Sequence, residues 1–245
     1  MTYLNFRDAT PDQSLYRITS VERFVEDLRS RENVLVRPSK WEDPFEAIIL
    51  NSYGILPDGA QVMFRLRHNY FGQCWSLHKE TDLMWRAYSP EARGVKLRIR
   101  ADKLHDSLAD HHPTHGLFQS FLGRVRYQQT DEFRETLQRG CDFGRPGESQ
   151  AQTLLLKRFG FRSEREVRLI AYAEVQADVL RYPVDWNDLV LEAVLDPGMP
   201  EADAIQAGKE ILAAGYQGRL YQSGLYRAPR RNEFKVRLDG APRAQ

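Results

Sequence analysis

Residues 94–100 read Gly-Val-Lys-Leu-Arg-Ile-Arg, so apolar Val95, Leu97 and Ile99 alternate with Lys96, Arg98 and Arg100. Only an extended strand buries such a pattern on one side, because successive side chains leave opposite faces of a sheet. The chain must therefore build a sheet and cover one of its faces. A second period supplies the cover. Val21, Phe24, Val25 and Leu28 recur at helical spacing after Thr19, with Glu22 completing a capping box. Strand patterns over 15–18, 34–36, 70–76, 125–127, 166–172, 189–195, 220–225 and 234–238 join the one at 95–99. Helical patterns fall over 60–68, 81–88, 104–109 and 200–213, the last turning Ile205, Ile211 and Leu212 inward. Residues 38–45 carry two prolines and read as an ordered loop, whereas 139–150, with three glycines and a proline, read as a mobile loop or seam. The order specifies an α+β chain, with one domain over 1–238 and a polar tail over 239–245.

Charge and composition remove several classes. Thirty-five Lys+Arg face 34 Asp+Glu, a net charge of +1, which excludes a nucleic-acid coat protein or a polybasic membrane binder. No apolar run approaches the roughly 18 residues of a membrane span. The opening MTYLNFRDAT lacks the apolar core of a secretory signal, so a cytoplasmic location is expected. Cys74 and Cys141 make no disulfide framework, and Cys74 reads as a small buried hydrophobe. His111, His112 and His115 are interrupted by Pro113 and followed by Gly116, so they read as a solvated loop and no metal is expected. Beneath the neutral total lie 28 arginines against seven lysines. Arginine's planar fork suits phosphate, so the excess is either compositional or marks a phosphate-bearing ligand.

Three segments place polar residues where apolar ones would be cheaper. Arg17 sits in Leu15-Tyr16-Arg17-Ile18, Ser76 ends Gln73-Cys74-Trp75-Ser76, and Glu164 and Glu166 stand two apart at a strand start. Carboxylates at i and i+2 of a strand share a face and repel unless cations or a ligand compensate them. They are either a solvated edge paired with Arg165 and Arg168 or part of a site. Trp41, Phe45, Tyr70, Trp75, Trp85 and Tyr88 crowd the first ninety residues, as core or as walls for a flat ring.

These segments resemble a known family. Tyr16-Arg17 with Trp41-Glu42-Asp43-Pro44-Phe45-Glu46 is similar to the "(L)YR … fNDPFE" opening of the large bacterial "domain of unknown function 2971" family. Cys74-Trp75-Ser76, Leu83-Met84-Trp85-Arg86-Ala87-Tyr88 and Gly94-Val95 resemble its "CFS … LMWxHYA … GV" block. Residues 161–168 resemble its "W-x-x-E-x-E-x-R" block, and 191–198 its "I-x-x-V-x-x-G" strand. The chain departs from that pattern at Glu42, where the family usually has Asn, at Arg86 and at Trp75.

A strand arginine, a strand-end serine and a Glu-x-Glu also resemble the R-S-E signature of ADP-ribosyltransferases. That resemblance implies a mostly antiparallel sheet core with flanking helices and NAD as co-substrate. It further implies an activity that transfers ADP-ribose to a macromolecular acceptor, protein or nucleic acid, in a toxin or phage-defence setting with an antitoxin or defence-system partner. By the same resemblance Arg17 would hold a phosphate or ribose, Ser76 would orient the nicotinamide-side ribose, and Glu166 would steady it as the bond breaks. Glu164 would orient or deprotonate the acceptor, and Tyr16, Trp85 and Tyr88 would complete the NAD site.

Two other readings stand beside it. The basic stretch Arg219 to Arg237 suits a nucleic-acid binding or processing protein. A non-catalytic interaction module would leave Arg17, Ser76 and Glu166 on different surfaces.

Overall fold

The computed structural model describes residues 2–6, 12–41, 43–47, 53–56, 58–63, 68–111, 117–138 and 147–229. In chain order its elements begin β1 (Thr2–Leu4), β2 (Ser14–Ser20), α1 (Val21–Ser30), β3 (Glu32–Val36), β4 (Tyr53–Ile55), β5 (Gln61–Met63), β6 (Tyr70–Ser76) and α2 (Asp82–Tyr88). They continue with β7 (Gly94–Arg100), α3 (Ala101–Ala109), β8 (Phe118–Arg124), β9 (Arg126–Gln128), α4 (Thr130–Gln138), α5 (Glu148–Thr153) and β10 (Leu156–Arg158). The last are β11 (Glu166–Ala173), β12 (Val179–Pro183), α6 (Trp186–Leu189), β13 (Glu192–Leu195), α7 (Glu201–Ala213) and β14 (Arg219–Gln222).

Among the described residues the main sheet runs β1-β8-β11-β6-β2-β7-β13-β14, with β3 bridging β6 and β12. Only β1–β8 and β13–β14 are parallel within it. The architecture is thus α+β, with a mixed, mostly antiparallel sheet and flanking helices. Strand β11 shows how its two faces are covered. Val167, Leu169, Ala171 and Ala173 enter the larger core with Val21, Phe24 and Leu28 of α1 and Leu104 of α3. Ile170 and Tyr172 turn to a smaller core with Tyr70, Leu154 and Leu155. Glu166 and Arg168 share the face of that smaller core. All eight residues of β11 are buried, so the solvated-edge reading of this strand does not hold.

Local chemistry moves several boundaries. Thr19 stays in the β2–β7 ladder opposite Val95, so the helix cap passes to Ser20, whose side chain accepts from the Arg23 N–H at 3.1 Å. Residues 61–63 form a strand rather than a helix. Gly59, at φ 86°, closes a turn in which the Leu56 N–H reaches the Ala60 carbonyl at 2.9 Å, and β5 returns along β4. Leu189 ends α6, and the strand there starts at Glu192. In α7 the inward stripe is Ala204, Ala207 and Ile211, whereas Ile205 and Leu212 are exposed. Small residues let α7 pack closely on α1. The expected strand at 234–238, the tail, His112, His115, Cys141, Glu42 and 139–146 of the expected loop lie outside the described residues; 148–150 open α5.

Helix α1 also buries a charge. Asp27 is 4% exposed and takes the Arg23 Nε at 3.0 Å. Burial nevertheless raises its pKa to about 6, against the pull of Arg23 and Arg17. A carboxyl whose pKa is higher folded than unfolded binds its proton more tightly in the fold. Stability from this group is therefore gained as pH falls from about 6 toward about 4, and at neutral pH the ionised form costs at most about 3 kcal/mol. Asp27→Asn is expected to raise the denaturation midpoint at pH 7.5 and to lose that advantage near pH 4. Equal gains at both pH values would refute the assignment.

Candidate active site

The pocket lies where the sheet parts. Strands β2 and β6 share one register pair, Tyr16 with Ser76, and β3 meets β6 at one pair, Val36 with Gly72. Between those two contacts the strands separate around a cavity of about 270 Å³, walled by Tyr16 to Ile18, Val34, Val36 and Gly72 to Ser76. Side-chain amides brace the gap in place of a ladder. Gln73 Nε2 donates to Asn33 Oδ1 at 2.6 Å and to the Val34 carbonyl at 3.1 Å, and Trp75 Nε1 donates to Gln73 Oε1 at 2.8 Å. Trp41 closes one side against Gly72, where a Cβ would stand 2.5 Å from its ring.

Arg17, Ser76, Glu164 and Glu166 all line this cavity, with Tyr16 and Tyr88. The register explains part of the convergence. Tyr16, Ser76 and Glu166 lie in one row across β2, β6 and β11. Trp85 does not line it. Its indole is 2% exposed, donates to Glu80 Oε1 at 2.9 Å and has Lys96 Nζ 5.6 Å from its ring, contacts that hold it away from the cavity. Glu164 reaches the site from a turn, not from the strand. It ends a 3-10 segment over Phe159–Glu164, Arg165 follows at φ 44°, and β11 begins at Glu166.

The carboxylates are embedded in a buried ion cluster. Arg168 donates its Nε and Nη2 to the two oxygens of Glu166 at 2.9 and 3.0 Å and reaches Glu46 at 3.0 Å. Lys157 Nζ lies 2.6 Å from Glu164, 2.8 Å from Glu46 and 3.2 Å from Glu166. Three carboxylates therefore face two cations, a formal charge of −1. Burial alone would raise the pKa of Glu166, but Arg168, aided by Lys157, prevails and lowers it. Burial raises the pKa of Glu164 despite Lys157. Burial, then the neighbouring Glu164 charge, also raises that of the Tyr88 hydroxyl.

Across the cavity Arg17 stands apart. Among the described residues its guanidinium has no hydrogen bond and no ion pair, only the Trp75 ring 6.0 Å away. Burial lowers its pKa, partly opposed by Asp27, which is itself held by Arg23. Ser76 lies between the two charged walls. Its hydroxyl donates to the Glu164 carbonyl at 2.6 Å and accepts from the His78 N–H at 2.9 Å. A hydroxyl has one proton and two lone pairs, so Ser76 keeps one lone pair for a donor such as a sugar hydroxyl. Cys74 lines the pocket as a neutral thiol, its pKa raised by burial and then by Glu166.

Glu46, Lys157 and Arg168 received no site role from sequence. Glu46 is presented by a turn in which Asp43 accepts from the Phe45 N–H at 3.0 Å and pairs with Arg158 at 3.1 Å. Lys157 had a signal: it directly follows Leu154-Leu155-Leu156, which marks a buried lysine. Among the described residues no group of three or more His, Cys, Asp or Glu side chains could hold a metal ion, and no helix is long and apolar enough to cross a membrane.

Residues 84–169 match the model of a protein family of unknown function, DUF2971, so the resemblance to that family holds over this stretch. No curated protein matches the sequence. Solved structures of DarT from Thermus sp. 2.9 are similar to it at 13% identity. The complex with NAD+ has a TM-score of 0.40 and covers 87% of this chain and 96% of that one. The complex with ADP-ribosylated single-stranded DNA has a TM-score of 0.41 and covers 91% and 97%.

Proposed function

We propose that this chain is an NAD-dependent ADP-ribosyltransferase that modifies a macromolecular acceptor. One observation carries the reading: a single pocket has on one wall a half-buried arginine with no ion pair among the described residues, and on the other a net-negative carboxylate cluster. A bare guanidinium in a cavity calls for an anion, and a phosphate accepts its fork in two charge-assisted bonds. The opposite wall suits a centre that becomes positive during reaction. NAD offers both, a pyrophosphate and a ribose carbon that gains positive charge as its bond to nicotinamide breaks.

The roles follow from position. Arg17 holds the phosphate end, and Ser76 accepts from a ribose hydroxyl. Glu166, kept ionised by Arg168, stabilises the ribose as the C–N electrons leave with nicotinamide. The acceptor then bonds to the ribose carbon and gives its proton to Glu164, whose raised pKa suits a base. Tyr16 and Tyr88 form ring walls; Trp85 has no part.

The acceptor enters beside the exposed turn that ends at Glu164. There Arg162 stacks over Phe159 at 4.3 Å and Arg158 over Phe45 at 4.5 Å, a lip that suits flat bases and phosphates of a single strand. The non-catalytic reading required three separated residues, which instead share one pocket. Of the basic residues behind the nucleic-acid reading, Arg219 and Arg227 are described, whereas Arg230, Arg231, Lys235 and Arg237 lie outside the described residues.

The test is nicotinamide release from NAD by the purified chain, alone and with single-stranded DNA, RNA or protein. Release that accelerates with one acceptor, together with covalent label on it, is expected. No release and no NAD-dependent shift in melting temperature would overturn the reading.

A further inference from the structure

We propose that Lys157 is a positioning residue: from behind the pocket wall it holds and aims the Glu164 carboxylate toward the acceptor. The proposal rests on the role given to Glu164 above. Lys157 does not line the cavity, and its side chain is 8% exposed. An ammonium has three N–H donors, and Lys157 has three carboxylate partners, at 2.6 Å in Glu164, 2.8 Å in Glu46 and 3.2 Å in Glu166. The Phe161 ring, 4.8 Å away, packs against it.

The two cations divide the work unequally. Glu166 has two holders, because Arg168 grips both its oxygens and Lys157 adds a third contact. Glu164 has one ion-pair partner among the described residues, Lys157. Removing Lys157 therefore frees Glu164 while leaving Glu166 on Arg168. Glu46 is the counter-charge that fixes Lys157 from the far side, since it touches both cations and its side chain is 6% exposed. The other charged or titratable groups acting on this spot are Glu166 and Arg168 of β11, Tyr88 of α2, Tyr127 of β9 and Cys74 of β6.

Two substitutions should move Glu164 in opposite directions. Lys157→Met removes the nearest positive charge, so Glu164 should take up its proton at higher pH, by about one to three pH units. Glu46→Gln removes a like charge and leaves Lys157 fewer carboxylates to share, so Glu164 should titrate lower. A merely structural role moves neither. The measurement is the Glu164 carboxyl titration by carbon NMR in the labelled full chain, followed by the acid limb of acceptor labelling in the same variants. Lys157→Arg, which keeps the charge, should restore most of the wild-type midpoint.

An unmoved Glu164 midpoint in folded Lys157→Met overturns the proposal, whether or not the protein cleaves NAD. If Lys157→Met does not fold, the direction of the shift in Glu46→Gln decides, and an upward shift or none overturns it. A midpoint that moves as expected in a chain releasing no nicotinamide upholds the placement of Lys157 and overturns the reading of the pocket instead.

Discussion

Glu166→Gln is expected to lower nicotinamide release by roughly a hundred- to a thousandfold while the protein stays folded. The rate loss follows from removing a fixed negative charge aimed at a centre that becomes positive, an effect of the size seen when one preorganised electrostatic group is deleted. The survival of the fold follows from the ion count. With glutamine at this position two carboxylates, Glu46 and Glu164, remain for two cations, Lys157 and Arg168, so the cluster passes from a formal −1 to balance. Glutamine keeps the shape, and its carbonyl oxygen still accepts one of the two Arg168 bonds. Steady-state nicotinamide release and a thermal melt of the same sample check both halves. Full activity in a folded Glu166→Gln protein would remove Glu166 from the reaction.

Arg17→Met is expected to weaken NAD while strengthening the fold. The half-buried guanidinium loses part of its solvation and has no ion-pair partner among the described residues, and a charge taken from water without a partner is costly. Methionine has a similar reach and needs no partner, so the melting temperature should rise by a few degrees, the equivalent of about 1–2 kcal/mol in a chain of this size. The Trp75 ring at 6.0 Å offsets only part of the charge's cost. Binding should move the other way. Losing charge-assisted contacts worth about 1.5–3 kcal/mol raises the KM for NAD by about ten- to a hundredfold. Opposite signs for stability and affinity are the mark of a residue kept for function. A variant that loses stability as well would show that Arg17 is a structural group.

The strands and the residues bearing polar groups at their ends were legible because their signals are local. Alternation at 95–99 marks β7, Thr81 caps α2 by accepting from the Met84 N–H at 3.1 Å, and Arg17, Ser76 and Glu166 stand at strand positions that a core would fill with apolar side chains. The cluster that holds the carboxylates was not legible, because it is assembled from distant pieces. Lys157 reaches Glu46 across more than a hundred residues, from a three-residue strand whose pattern is too short to read. Trp85 shows the converse limit: it sits three residues before Tyr88 in one motif, yet Glu80 and Lys96 hold its indole away from the cavity that Tyr88 lines. Ile205 and Leu212 failed for a related reason, since α7 buries its alanines to lie close to α1.

The single register pair between β2 and β6 leaves room for a ligand to join the two halves of the sheet. The strands β1-β8-β11-β6 form one continuous ladder and β2-β7-β13-β14 another, and among the described residues their backbones are stitched at one pair, Tyr16 to Ser76. Arg17 belongs to the second ladder, whereas Glu166 and Arg168 belong to the first. The two ladders are otherwise joined through side chains, Leu15, Leu97 and Ile99 sharing one core with Leu122, Val167 and Leu169. A ligand spanning both walls of the cavity would therefore act as a second stitch, beside the one backbone pair that the sheet itself supplies there.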